Sequence, residues 1–238
     1  MMTPVQDWGR FPSGWIADGN LKRFSWRLVG TRGIAALRVY TVLAQRLRDA
    51  DGVVRASYEA LTENTNLARA SVSAGLRLLE TENLILTGEA AGGKGRYKIL
   101  GYDPEKGWAK LPAQKLYDGA QFRPFKTWHM RSQVELHAMR LYLLIAARRD
   151  TALNEAFLTY EKIQEMAGMR DEQITSGLSL LSASSMVYVI NHDRQGHGLA
   201  RGYRIVGVEP YRHRGTTTRE ITADEMDAAS ALQSQNLR

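Results

Sequence analysis

The stretch "NLARASVSAGLRLLETENLILTGEAAGGKGRYKIL" (66–100) decides how this chain is read. Its first part places Val72, Leu76 and Leu79 at i, i+4 and i+7, so the spacing predicts a helix over about 68–82 with one apolar stripe. Half a turn away lie Ala70, Ser73, Ala74 and Arg77, a face of small side chains and one cation. "LILT" (84–87) and "RYKIL" (96–100) read as two strands around the loop "GEAAGGKG". Alternation along the second strand sends Tyr97 and Ile99 one way and Arg96 and Lys98 the other. Asn66 suits the tight turn before the helix, because Asn tolerates left-handed backbone.

Working outward, "AALRVYTVLAQRL" (35–47) carries Leu37, Val39, Tyr40, Leu43 and Leu47 at helical spacing. "DG" at 51–52 marks a turn, "VVRA" (53–56) a short strand, and Ser57 caps a short helix from Tyr58 to about Asn64. This order returns. Shifted by 102 residues, the first helix lies over "HAMRLYLLIAARR" (137–149), and Gly75, Leu76, Leu78 and Leu79 lie over identical residues. "WGRFPSGWIADG" (8–19) resembles "WAKLPAQKLYDG" (108–119), and "GRYKILGY" (95–102) resembles "RGYRIVGV" (201–208) at a shift of 106, so the second hairpin is longer. An internal duplication is therefore expected, with domains over 1–106 and 107–208 and a separate C-terminal arm over 209–238.

Helices followed by a two-stranded hairpin, with a turn, an outward helix and then "LETENLI" leading into a glycine-rich basic loop, resemble the winged helix-turn-helix family. The upstream tryptophan–proline motif resembles the subset found in plasmid and phage replication proteins and small bacterial regulators. The resemblance covers about 8–102 and 108–208. It implies a mainly α fold with small β-hairpins (α+β), built as two tandem winged-helix domains.

The same resemblance implies which residues meet DNA. In such a motif the second helix enters the major groove and the hairpin follows the phosphates. In the first domain these are Arg69, Ser71, Ser73 and Arg77 on the helix and Lys94, Arg96 and Lys98 on the wing. In the second they are Arg170, Gln173, Thr175 and Ser176 on the helix and Arg194, His197, Arg201 and Arg204 on the wing. The second helix also carries Glu172 where the first has Ala70, so the two faces are unequal.

Charge agrees with a polyanionic partner. The net charge is +7 and the pI about 9.7, with +4 on 1–106, +4 on 107–208 and −1 on 209–238. Cysteine is absent, which excludes disulfides, thiolate metal sites and a cysteine nucleophile. No signal peptide and no apolar run near the roughly 20 residues of a membrane helix is visible, so a cytoplasmic, membrane-free protein is expected. "GEAAGGK" (88–94) fits the opening of a phosphate-binding loop, but Gly95 stands where Ser or Thr binds magnesium and a strand follows where a helix is needed, so nucleotide binding is rejected. His192 and His197 lack convincing co-ligands, and no nucleophile–base–acid set appears. The expectation is a non-enzyme with no catalytic residue, cofactor or metal. In "TADEM" (222–226), Thr222 and Glu225 form a capping box opening a short helix to about Leu232.

These features point to a chain that binds double-stranded DNA through two unequal domains, as a monomer or weak dimer. Its expected role is replication initiator or transcriptional regulator of a plasmid, phage or other mobile element. The alternative, from another class, is an adaptor or assembly subunit whose winged helices contact protein through the second domain or the C-terminal tail, with non-specific nucleic-acid binding.

Overall fold

The computed structural model describes residues 7–194 and 198–208, and the side chains of all of these except 192–194 and 198–200. His197, the side chain of Arg194 and the expected helix near 222–232 lie outside the described residues.

The architecture is α+β, with small antiparallel sheets set against helices. The first half runs β1 (Trp8–Pro12), α1 (Gly14–Ala17), a 3-10 turn (Asn20–Phe24), α2 (Trp26–Val29) and α3 (Thr31–Ala44). It continues with β2 (Val53–Arg55), α4 (Tyr58–Thr65), α5 (Arg69–Thr81), β3 (Ile85–Thr87) and β4 (Arg96–Ile99). The second half opens with β5 (Trp108–Pro112), β6 (Tyr117–Asp118) and β7 (Gln121–Phe122). Then come α6 (Gln133–Arg148), β8 (Glu155–Phe157), α7 (Tyr160–Ala167), α8 (Asp171–Ala183), β9 (Val187–Arg194) and β10 (Gly198–Ile205). The order long helix, short strand, two helices, hairpin occurs in both halves. The two three-stranded sheets also share one strand order, β2-β4-β3 and β8-β10-β9.

Local chemistry explains the repeated elements. The Ser57 hydroxyl accepts a hydrogen bond from the Ala60 N–H (3.1 Å), and Thr159 does the same for Lys162 (3.2 Å), starting α4 and α7. Asn66 (φ 52°) and Gly168 (φ 62°) end those helices in left-handed backbone. Arg38 of α3 donates to the Thr65 carbonyl, and Arg140 of α6 donates to that of Ala167, so a buried cation meets the negative end of each short helix. Gly75 and Gly177 sit where α5 crosses α3 and α8 crosses α6. A Cβ on Gly75 would lie 2.8 Å from the Ala35 carbonyl carbon and 2.9 Å from the Ala36 nitrogen. Glycine thus sets the close approach of α5 to the body.

Two sequence expectations change. The apolar spacing carries the first helix to Leu47, but α3 stops at Ala44, and the chain then tightens through Arg46 N–H to Leu43 O (3.0 Å) and Leu47 N–H to Ala44 O (3.2 Å). Arg46 anchors this turn, buried and donating to the Tyr117 hydroxyl (2.7 Å) and to Asn64. The hairpin loop, read from the sequence only as a glycine-rich connection, folds as a 3-10 turn over Gly88–Ala91 with Ala91 buried. Its ends are tied by Gly92 N–H to Glu89 O (3.0 Å) and Gly93 N–H to Gly88 O (2.9 Å).

The halves interlock. β1 and β5 form an antiparallel ribbon in which Trp8 faces Pro112, Arg10 faces Lys110 and Pro12 faces Trp108. Trp8 and Trp108 stack at 5.8 Å, while Arg10 lies over Trp108 (5.0 Å) and Lys110 over Trp8 (4.6 Å). Farther in, Phe125 and Trp128 of the second half cover Arg38 of the first, at 4.8 and 5.3 Å from its guanidinium. Buried residues of both halves form one continuous core. The expected boundary near 106 therefore falls in a connection between halves whose cores are continuous. Trp128 lies in this core and Trp15 and Trp26 pack against it, while Trp8 and Trp108 stack on each other in the ribbon.

Candidate nucleic-acid interface

A groove of about 980 Å³ separates α5 from the β2-β4-β3 sheet and the start of α4. Arg55, Arg69, Arg77, Lys94 and Arg96 line it, with Glu59, Glu80 and Glu89 among them. Its floor is Tyr58, Leu76 and Tyr97. Burial first, and the neighbouring Tyr58 second, push the Tyr97 phenol up to about 12, so it stays neutral.

The cations reach the groove from separate elements: Arg55 from β2, Arg69 and Arg77 from α5, Arg96 from β4 and Lys94 from the loop before it. Arg55 and Arg96 sit directly opposite each other on β2 and β4. Arg69 is the first residue of α5, whose N-cap is Ala68 with no side-chain cap. A cation at the positive end of a helix is unfavourable, and uncapped N–H groups there are free to bind an anion. The Arg69 guanidinium rests 4.7 Å from the centre of the Tyr58 ring, which holds it at the groove's edge. Glu80 is occupied by the Thr87 hydroxyl, which donates to it.

Of the first-half residues expected from sequence, Arg69, Ser73, Arg77, Lys94 and Arg96 meet at this groove. Lys98 is exposed on β4 and Ser71 is half-buried on α5, but neither lines it. Sequence reasoning passed over Arg55, Glu59, Glu80 and Glu89. Arg55 had a readable signal, since in a strand over 53–55 it alternates away from the buried Val54.

The second half differs. α8 opens with Asp171 and Glu172, carboxylates suited to the helix's positive end. Gln173, expected to reach a base, instead accepts a hydrogen bond from the Arg170 backbone N–H (3.0 Å) through its side-chain oxygen, completing the helix start. The Thr175 and Tyr160 hydroxyls are hydrogen-bonded at 3.3 Å, and the Ser176 hydroxyl donates to the Gln173 carbonyl (3.2 Å). Arg201 lies over Tyr160 (5.3 Å), matching Arg69 over Tyr58. Arg204 is ion-paired with buried Glu155, which faces it across β8 and β10. Where the first half sets Arg55 against Arg96, the second sets Phe157 against Gly202.

Among the described residues, no cluster of three or more His, Cys, Asp or Glu side chains is placed to hold a metal ion. No helix among them is long and apolar enough to cross a membrane. No protein-family model, curated protein or solved structure matches the chain.

Proposed function

We propose that this chain is a non-enzymatic, double-stranded-DNA-binding protein of two winged-helix units, with the main DNA face on the first half. The observation that carries this reading is the convergence on one groove of Arg55 and Arg96 from the sheet, Arg69 and Arg77 from α5 and Lys94 from the hairpin. α5 offers the small residues Ala70, Ser73 and Ala74 outward, which lets its backbone approach a major groove, while the hairpin's cations track the strand beside it. Its role in this reading is replication initiation or regulation of a mobile element.

The second half supports a different contact. Asp171 and Glu172 at the start of α8, the inward use of Gln173 and the pairing of Arg204 with Glu155 leave a face poorly suited to phosphate. A protein partner, or a subsidiary DNA contact, fits it better.

A salt titration of duplex binding tests this reading. If five groove cations each neutralise one phosphate, log K falls with log salt at a slope of about −4.5, and duplexes selected from a random library bind far more tightly than random ones. A flat salt response, or no duplex preferred over random sequence, would sink the proposal.

A further inference from the structure

On the far side of α5 from the hairpin lies a second groove, of about 550 Å³, between α5 and the α2–α3 corner. Leu28 stands on its rim with 62% of its surface exposed. Arg23, Arg32 and Arg77 surround it, against a single carboxylate, Glu82, which pairs with Arg23 at 3.5 Å. Ala74, Val29 and Leu78 supply further apolar lining. A phosphate backbone would satisfy the arginines and leave Leu28 in water. An acidic segment with an apolar stripe satisfies both.

This chain contains such a segment. "EITADEMDAASAL" (220–232) holds four carboxylates and no Lys or Arg, and Met226, Ala229 and Leu232 recur at three-residue spacing. Twelve residues separate Val208, where the described chain ends, from Ile221. Extended, they reach at most about 45 Å, and a folded body of roughly 200 residues has a radius of gyration of about 16 Å, so most of its surface lies within range. Tethering gives the segment an effective concentration near the millimolar range, an advantage no free protein has.

We propose that residues 220–232 dock in the Leu28 groove, with Met226 against Leu28 and the carboxylates among Arg23, Arg32 and Arg77. Docking does not depend on the DNA reading. Only its consequence does: because Arg77 lines both grooves, the tail and DNA would compete for it.

The cysteine-free chain permits a direct test. Leu28→Cys with Met226→Cys, in the full chain without DNA, is oxidised in dilute solution and compared with Tyr188→Cys plus Met226→Cys. Tyr188 is similarly exposed, at 55%, and nearer the tail in sequence. The expected result is intramolecular disulfide closure about tenfold faster for the Leu28 pair, given a bound rather than a roaming tail. That preference should fall towards parity near 1 M salt, where the screening length is about 3 Å. Equal closure rates for the two pairs at low salt, or cross-links only between chains, would overturn the proposal. A chain that fails to bind DNA yet shows the preference loses the proposed function and keeps this inference.

Discussion

Arg38 of the first half and Glu135 of the second form a 2.8 Å ion pair in the core, with the arginine side chain 0% and the carboxylate 7% exposed. Glu135 also accepts the backbone N–H groups of His129 (2.7 Å) and Met130 (2.9 Å), while Phe125 and Trp128 cover the guanidinium. Burial pulls the Arg38 guanidinium down to about 10, with Glu135 working against that fall, so the guanidinium is charged at neutral pH. Glu135→Ala strands a buried cation and is expected to cost about 3–5 kcal/mol. Arg38→Met combined with Glu135→Leu should recover most of that loss. Urea unfolding of the three proteins measures both effects, and a Glu135→Ala protein as stable as the parent would show that the pair does not join the halves.

Gly75→Ala should destabilise the protein, although alanine favours helix by about 1 kcal/mol over glycine. The added Cβ meets backbone atoms of α3 at 2.8 and 2.9 Å, and overpacking of that kind costs roughly 1–3 kcal/mol. Gly177→Ala should cost less, since its nearest neighbour, at 2.7 Å, is the movable Cδ1 of Leu141, with backbone no closer than 3.1 Å. The order of the two denaturation midpoints decides the point.

His137 is buried at the crossing of α6 and α8, with neither ring nitrogen hydrogen-bonded. Burial first, then Arg140 and Arg170, lower it from 6.5 to about 4. Its folded value lies below its unfolded one, so the unfolded chain binds the extra proton between those limits. Stability is full above about pH 6.5 and falls as the pH drops towards 4, by about 2 kcal/mol between pH 7 and 5. His137→Ala, which installs the residue found at the corresponding position 35, should remove that part of the pH dependence. Parallel slopes for parent and variant between pH 5 and 7 would refute it.

Replacing Lys94, Arg96 and Lys98 together with alanine should weaken selected and random duplexes by a similar factor and reduce the salt slope by about 2–3. Arg204→Ala should instead act on stability, because its carboxylate partner Glu155 is buried. Equilibrium binding at several salt concentrations, paired with thermal melts, separates the two outcomes.

The elements of the opening stretch were legible because their signals are local. Val72, Leu76 and Leu79 repeat at helical period, Asn66 marks a left-handed turn, and Tyr97 alternates with two cations. The meeting of Arg69, Arg77, Lys94 and Arg96 was legible through the resemblance of the whole pattern. The joint between the halves was not. Nothing in Glu135 or its neighbours announces that a guanidinium 97 residues earlier will be buried against it. The capping bond of Gln173 was hidden for a related reason: an amide three residues after a helix start serves as a cap or as a reader of bases, and the sequence alone shows neither partner.

The ribbon of β1 and β5 reads the same from either end. Arg10 faces its own counterpart, Lys110, and each tryptophan faces the other segment's proline. A seam with that symmetry is self-complementary, as in a two-fold homodimer, so one half already carries both sides of it. The segment over 103–107 thus fixes the stoichiometry of a pairing that two separate chains with such strands would be able to make unaided, and leaves the outward helices free to differ: α5 opens with Arg69, α8 with Asp171 and Glu172.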